Sequence, residues 1–131
     1  MDDFTESRSQ IRVLVVDDDP DFFLLVHDAL TGGEAGFTVD GAVSAAAALE
    51  HLRGAAPDVI LMDYQLGGPD GLGLLEDLRA QDAAVPVVMV TGYPTPALRQ
   101  RAEALGVSAF LIKPVFLPEL RRAVQQALNR G

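Results

Sequence analysis

Residues 11–20 read IRVLVVDDDP: four consecutive apolar residues, Val13 to Val16, run straight into three carboxylates and a proline. A strand exposed on one face would alternate apolar and polar residues, so an uninterrupted run predicts a strand covered on both faces, as in a parallel sheet. Asp19 is a good N-cap and Pro20 suits a first helical turn, so a helix follows at once. Its apolar stripe of Phe22, Phe23, Leu25, Val26, Ala29 and Leu30 keeps a helical period up to Gly32 and Gly33.

The same alternation continues downstream. Strands are predicted over 12–16, 37–41, 58–62, 87–90 and 109–112, the runs VLVV, VILM, VVMV and FLI being almost wholly apolar. The second strand, FTVDG, alternates and belongs at a sheet edge. A second helix runs from Ser44 to Gly54, and a third carries Leu72, Leu74, Leu75 and Leu78. The fourth is capped by Thr95 and Pro96 and stops at Gly106, and the fifth starts near Pro118 and buries Leu120, Val124, Ala127 and Leu128. Strands alternating with helices specify right-handed crossovers and an α/β doubly wound parallel sheet of five strands. Residues 1–10 are polar and aperiodic and read as a flexible leader, leaving 11–131 as one domain that ends one helix after the fifth strand, with no room for an output domain.

Composition narrows the function. The 131 residues carry 19 acidic and 10 basic side chains, a net charge of −9 that argues against direct binding to nucleic acid or to an anionic membrane. No cysteine is present, which excludes disulfides and thiolate chemistry, and two isolated histidines do not make an imidazole zinc site. His27 and His51 read as residues of exposed helix faces. The longest apolar runs are too short to span a bilayer and the start is not a signal peptide, so a cytoplasmic location is expected.

Ligands of open parallel sheets sit at the carboxyl ends of the strands. There the chain places Asp17, Asp18 and Asp19, then Asp63, Thr91 and Lys113. If the first strand lies beside the third, Asp17, Asp18 and Asp63 converge, and two like charges about 5 Å apart cost about 3 kcal/mol at an effective dielectric of 20. Oxygen-only ligands of this kind call for a cation such as Mg²⁺. Asp19 alone is equally well explained as a helix cap. Lys113 is the only lysine beside nine arginines, which points to a specific need for a compact ammonium. Carboxylate, cation, hydroxyl and ammonium together form a cradle for a phosphoryl group, with an aspartyl phosphate as the product.

These residues resemble the receiver domains of two-component response regulators, over roughly 11–128. The motifs are VLVVDDDP, VILMDYQLGGPDGL, VVMVTG and FLIKP, with 46 residues from Asp17 to Asp63, 28 more to Thr91 and 22 more to Lys113. The resemblance implies a flavodoxin-like (βα)5 fold of strand order 2-1-3-4-5. It makes Asp63 the phosphoacceptor, Asp18 a direct Mg²⁺ ligand, Asp17 a ligand through metal-bound water and the Gln65 backbone carbonyl a further metal oxygen. Thr91 and Lys113 would hold the phosphoryl oxygens, Phe110 would be the switch aromatic, and the Lys113–Pro114 peptide would be cis. The implied donor is a histidine kinase or histidine phosphotransfer protein. The implied output is a protein target of the face formed by the fourth helix, fifth strand and fifth helix, or a phosphorylation-linked homodimer. Such a chain modifies only itself and is not a turnover enzyme.

Departures from the family pattern carry expectations of their own. Gly67 and the loop GGPDG predict a mobile segment, Val115 follows Lys-Pro where Phe is common, and Leu117 stands where an Asp often caps the last helix, which predicts a loose start. Tyr93 and Gln65 flank the path of a hydrolytic water, and the Tyr93 ring is expected to slow dephosphorylation. Three other readings were weighed. Asp17-x-Asp19 is similar to the nucleophile motif of haloacid dehalogenase-type phosphatases, but the acidic pair they need after the lysine is missing. An inactive binding module fits poorly, because every chemical position is filled. A receiver piece of a hybrid kinase or multidomain regulator stays open beside a stand-alone regulator.

Overall fold

A computed structural model describes residues 11–31, 36–54, 56–65, 71–81 and 84–130. The expected leader, the glycines at 32–33 and the Gly67 loop lie outside them. The elements are β1 (Ile11–Val16), α1 (Pro20–Thr31), β2 (Phe37–Ala42), α2 (Ala45–Gly54), β3 (Val59–Asp63), α3 (Gly71–Ala80), β4 (Val87–Thr91), α4 (Pro96–Ala104), β5 (Ala109–Ile112) and α5 (Leu117–Arg130). All strand pairings are parallel and the sheet order is β2-β1-β3-β4-β5.

The two-residue period of a strand splits each apolar run between two cores. Val13, Val15, Val59, Leu61, Val88 and Val90 face a layer made by α1 and α5, around Val26, Leu120 and Val124. Leu14, Val16, Ile60, Met62, Val87 and Met89 face the layer of α2, α3 and α4, around Leu72, Leu75, Leu98 and Ala102. Residues 13–16 of β1 and the whole of β3 and β4 are therefore buried, which is what their unbroken apolar runs predict. β2 is an edge, as its alternation predicts. The run Phe110–Ile112 misleads in this respect: β5 is the opposite edge, only Leu111 is buried, and Ile112 is 43% exposed. In α1, Phe23 and Leu25 are half-buried at the margin of the stripe and Phe22, Val26, Ala29 and Leu30 form its centre.

Side-chain caps set the helix starts. The Asp19 carboxylate accepts from Asp21 N at 3.0 Å, Ser44 Oγ from Ala47 N at 3.0 Å and Thr95 Oγ1 from Leu98 N at 3.1 Å. The start of α5 departs from expectation: it is not left loose, because Glu119 in the first turn reaches back to accept from Phe116 N at 3.4 Å, one half of a capping box. Two arginines tie elements together at the far end of the sheet from the carboxylates. Arg79 of α3 donates to the carbonyls of Leu105 (2.9 Å) and Val85 (3.0 Å), and Arg121 of α5 donates to the Ala29 carbonyl near the end of α1 (3.2 Å).

α4 ends on Gly106, whose φ of +76° lies in the left-handed region. Ala there would be strained although space is open around it, whereas Gly54 closes α2 with right-handed backbone and equally open surroundings. Gly106→Ala is thus expected to cost about 1–2 kcal/mol, and Gly54→Ala to add about 0.5 kcal/mol by restricting the unfolded chain. Urea unfolding of the two variants checks the opposite signs.

Candidate phosphoacceptor site

The carboxyl ends of β1, β3 and β4 lie side by side and carry Asp17, Asp63 and Thr91, with residue exposures of 4%, 7% and 0%. Each side chain is held by the same device. Asp17 Oδ1 accepts from Asp19 N at 2.9 Å, Asp63 Oδ1 from Gln65 N at 3.0 Å and Thr91 Oγ1 from Tyr93 N at 3.1 Å. A side-chain oxygen that turns back onto the amide two residues on is the short-range bond Asp and Thr make wherever a chain leaves a strand. Used three times in register, it fixes three polar groups at one sheet edge.

Oxygens of Asp17, Asp18 and Asp63 lie within 4.8 Å of one another, close enough to share a metal ion. Asp17 and Asp63 are buried and Asp18 is exposed. All donors are carboxylate oxygens with an open side toward solvent, the donor set of a hard divalent cation that keeps several waters. From β5, Lys113 reaches across the sheet and donates from Nζ to Asp17 Oδ2 at 2.8 Å and to Asp63 Oδ2 at 3.3 Å. The Lys113 amide donates to the Thr91 carbonyl at 2.8 Å, so the ammonium and the hydroxyl spring from neighbouring strand ends.

Burial raises the Asp17 carboxyl above the ordinary carboxylate range, and the Asp63 charge adds to this against the pull of Lys113 and the Asp19 amide. Burial pulls the Lys113 ammonium down, but the hydrogen bonds and charges of Asp17 and Asp63 outweigh it and leave its pKa raised. Lysine is therefore charged at neutral pH and one ammonium faces three acids.

Every sequence-predicted site residue among the described ones sits at this edge or next to it. Phe110 lies on β5, half-buried against the α2, α3 and α4 layer, with the Arg99 guanidinium carbon of α4 4.6 Å from its ring centroid. Tyr93 is 72% exposed at the loop into α4. Gln65 gives its amide to Asp63. The Lys113–Pro114 peptide bond is cis. His27 and His51 are part-exposed on their helices and remote in sequence from the strand ends, His51 within 3.8 Å of Asp40. Two contributors escaped the reading of the sequence. A Cβ on Gly71 would collide with the Asp63 carbonyl oxygen, and Gly71 N donates to the Tyr64 carbonyl at 2.7 Å, so α3 starts directly on the backbone of Asp63 and Tyr64. The only signal was that Gly71 is the last of three glycines, after Gly67 and Gly68, before the helical period begins. The other is Phe22, whose ring centroid is 4.6 Å from Lys113 Nζ.

The 2-1-3-4-5 sheet with an acid cluster, a hydroxyl and an ammonium at its strand ends places the chain among the doubly wound α/β proteins that carry a polar site at that edge. The family profile of the response regulator receiver domain matches residues 13–125, and this chain belongs to that family. It is 31% identical over 122 residues to the transcriptional regulatory protein ZraR of Escherichia coli K12 and 34% identical over 122 residues to the transcriptional regulatory protein PrrA of Mycobacterium leprae. Each match covers 93% of this chain, but only 27% of ZraR and 52% of PrrA, so the chain spans a quarter to a half of these relatives. Among solved structures it resembles a CheY-like receiver domain protein of Methanospirillum hungatei, with TM-score 0.85 and 26% identity over 93% of this chain and 96% of that one. Chemotaxis response regulator CheY4 of Vibrio cholerae gives TM-score 0.81 and 28% identity over 91% and 99%. Among the described residues no helix is long and apolar enough to cross a membrane.

Gly71→Ala is expected to destabilise the fold by about 2 kcal/mol or more, because the new methyl meets backbone and not a yielding side chain. Urea unfolding measures the loss, and amide NMR shifts concentrated at residues 63–65 would locate it.

Proposed function

We propose that this chain accepts a phosphoryl group from a phosphohistidine on a histidine kinase or histidine phosphotransfer protein, and carries it on Asp63. The observation that carries the reading is the meeting of Asp17, Asp18 and Asp63 within 4.8 Å under a lysine that touches two of them. The Asp63 carboxylate attacks phosphorus as the phosphorus–nitrogen bond breaks, and the donor's imidazole, already protonated on its other ring nitrogen, takes the bonding pair and leaves as neutral imidazole. Lys113 and the Thr91 hydroxyl, which keeps its proton to donate, hold two of the phosphoryl oxygens as charge shifts onto them. Asp18, Asp63 and the Gln65 carbonyl would hold Mg²⁺ directly and Asp17 through water. The ion supplies the positive charge that three acids and a phosphoryl dianion need.

The same atoms supply an output. Thr91 Oγ1 accepts from Tyr93 N, so drawing the hydroxyl toward a phosphoryl oxygen disturbs the start of the loop into α4. Phe110 then turns inward from beneath Arg99, and the surface of α4, β5 and α5 changes its preference for a protein target or a second copy of the chain. The net charge of −9 supports a protein target over nucleic acid contacted by this chain itself. The greater length of ZraR and PrrA supports a second reading in which this chain is the receiver part of a multidomain regulator or hybrid kinase. In both readings it catalyses only its own phosphorylation and dephosphorylation.

Incubation with Mg²⁺ and acetyl phosphate, followed by intact-mass measurement, tests the reading. The wild type is expected to gain one phosphoryl mass, labile to hydroxylamine and absent without the metal, and Asp63→Asn to gain none. Equal uptake by Asp63→Asn would sink it. Tyr93, 72% exposed and two residues after Thr91, is the residue we take to flank the approach of water to Asp63. Tyr93→Ala is accordingly expected to shorten the lifetime of the acyl phosphate about threefold to tenfold, the scale of one ordered group near a reacting water, and an unchanged decay rate would remove that role.

A further inference from the structure

The Lys113 ammonium has three N–H groups. Two point at Asp17 and Asp63, and another side of the nitrogen faces the Phe22 ring, whose centroid is 4.6 Å away. That distance is inside the range in which the negative face of an aromatic ring attracts a cation. Phe22 sits in the first turn of α1 and is 6% exposed, the only buried phenylalanine among the described residues. The Lys113 side chain is 23% exposed, so its nitrogen has lost much of its water. Aliphatic carbon in place of the ring would desolvate the ammonium and give nothing back, whereas the ring face offsets part of that cost. A lysine stem is flexible, and its two acidic partners must give way when a phosphoryl oxygen arrives. Of the three described side chains that contact the ammonium, Asp17, Asp63 and Phe22, the ring is the one with no stake in a metal or a phosphoryl group.

We propose that Phe22 is a positioning residue for phosphoryl transfer: its ring face seats the Lys113 ammonium over Asp63, before and after the phosphoryl group takes over the ammonium's carboxylate partner. The proposal rests on the reading of Asp63 as phosphoacceptor. Simple core filling would instead make only the volume of the side chain matter.

The test replaces Phe22 with 4-fluoro-, 3,5-difluoro- and 3,4,5-trifluorophenylalanine, which keep the ring's shape and progressively remove the negative charge of its face, and adds Phe22→Leu. Affinity for fluoroberyllate in the presence of Mg²⁺, the initial rate of Asp63 phosphorylation by acetyl phosphate and the urea midpoint are measured for each. Affinity and rate are expected to fall stepwise with fluorination, by about threefold to thirtyfold at the trifluoro ring, while the midpoint holds. An unchanged fluorinated series, with loss only in Phe22→Leu and in step with its midpoint, would show a core-filling ring and overturn the proposal. A wild type that takes up neither fluoroberyllate nor phosphoryl would overturn the phosphoacceptor reading, and the role of Phe22 with it. Wild-type uptake with a flat fluorine series overturns the role of Phe22 alone.

Discussion

Three carboxylates held within 4.8 Å of one another is the constraint around which this fold is arranged. Like charges at such separations repel by about 3 kcal/mol per pair at an effective dielectric of 20. A loop would relax away from that repulsion. Here two of the acids leave adjacent parallel strands that are buried on both faces, so neither strand end can retreat without opening a core. The Oδ1 atoms of Asp17 and Asp63 are pinned by amides two residues on, and their Oδ2 atoms share one ammonium. Burial chiefly, with the Asp63 charge adding to it, leaves the Asp17 carboxyl above the ordinary carboxylate range.

The rest of the chain serves that edge in two ways. The helices close both faces of the sheet, and their caps set where each begins relative to the strand end before it. Asp19 caps α1 two residues after Asp17, so the turn that orients the acid also launches the helix that brings Phe22 under Lys113. Gly71 starts α3 against the backbone of Asp63 with no room for a methyl group. Both helices are therefore fixed with respect to the acids by contacts in their first turns.

Much of this was legible in the sequence, for a definite reason. The runs Val13–Val16, Val59–Met62 and Val87–Val90 show both-face burial directly, and a polar residue closing each run marks the ligand edge. The motif spacing then joined Asp17, Asp18, Asp63, Thr91 and Lys113 before any coordinate was known. Local pattern failed where the deciding contact is tertiary. The FLI run of β5 has the composition of a central strand but no neighbour beyond it, and its edge position depends on sheet order. Leu117 suggested a weak start to α5 because the stabilising carboxylate, Glu119, acts backward from inside the helix. Phe22 looked like one more member of an apolar stripe, since nothing in the one-dimensional pattern tells which stripe residue lies beneath a side chain 91 positions away.

Counting charge through the proposed reaction shows why the hydroxyl of Thr91 matters beyond its bond to the phosphoryl group. Three acids and one ammonium leave the site at −2; a divalent cation brings it to zero, and turning a carboxylate into an acyl phosphate dianion adds one negative charge. The ammonium is already engaged, so the new oxygens need an uncharged donor close at hand. Thr91, fully buried one strand away from Asp63, is the neutral side-chain donor among the residues at that edge. Its hydroxyl oxygen is tied to Tyr93 N, the second residue after β4, and its carbonyl to Lys113 N, the first after β5, in the segments that lead toward α4 and α5. Any movement that satisfies the phosphoryl group is therefore carried into the two segments bordering the Phe110 and Arg99 contact. In the proposed reaction, the switch surface would follow from the same shortage of positive charge that suits the three acids to a divalent cation.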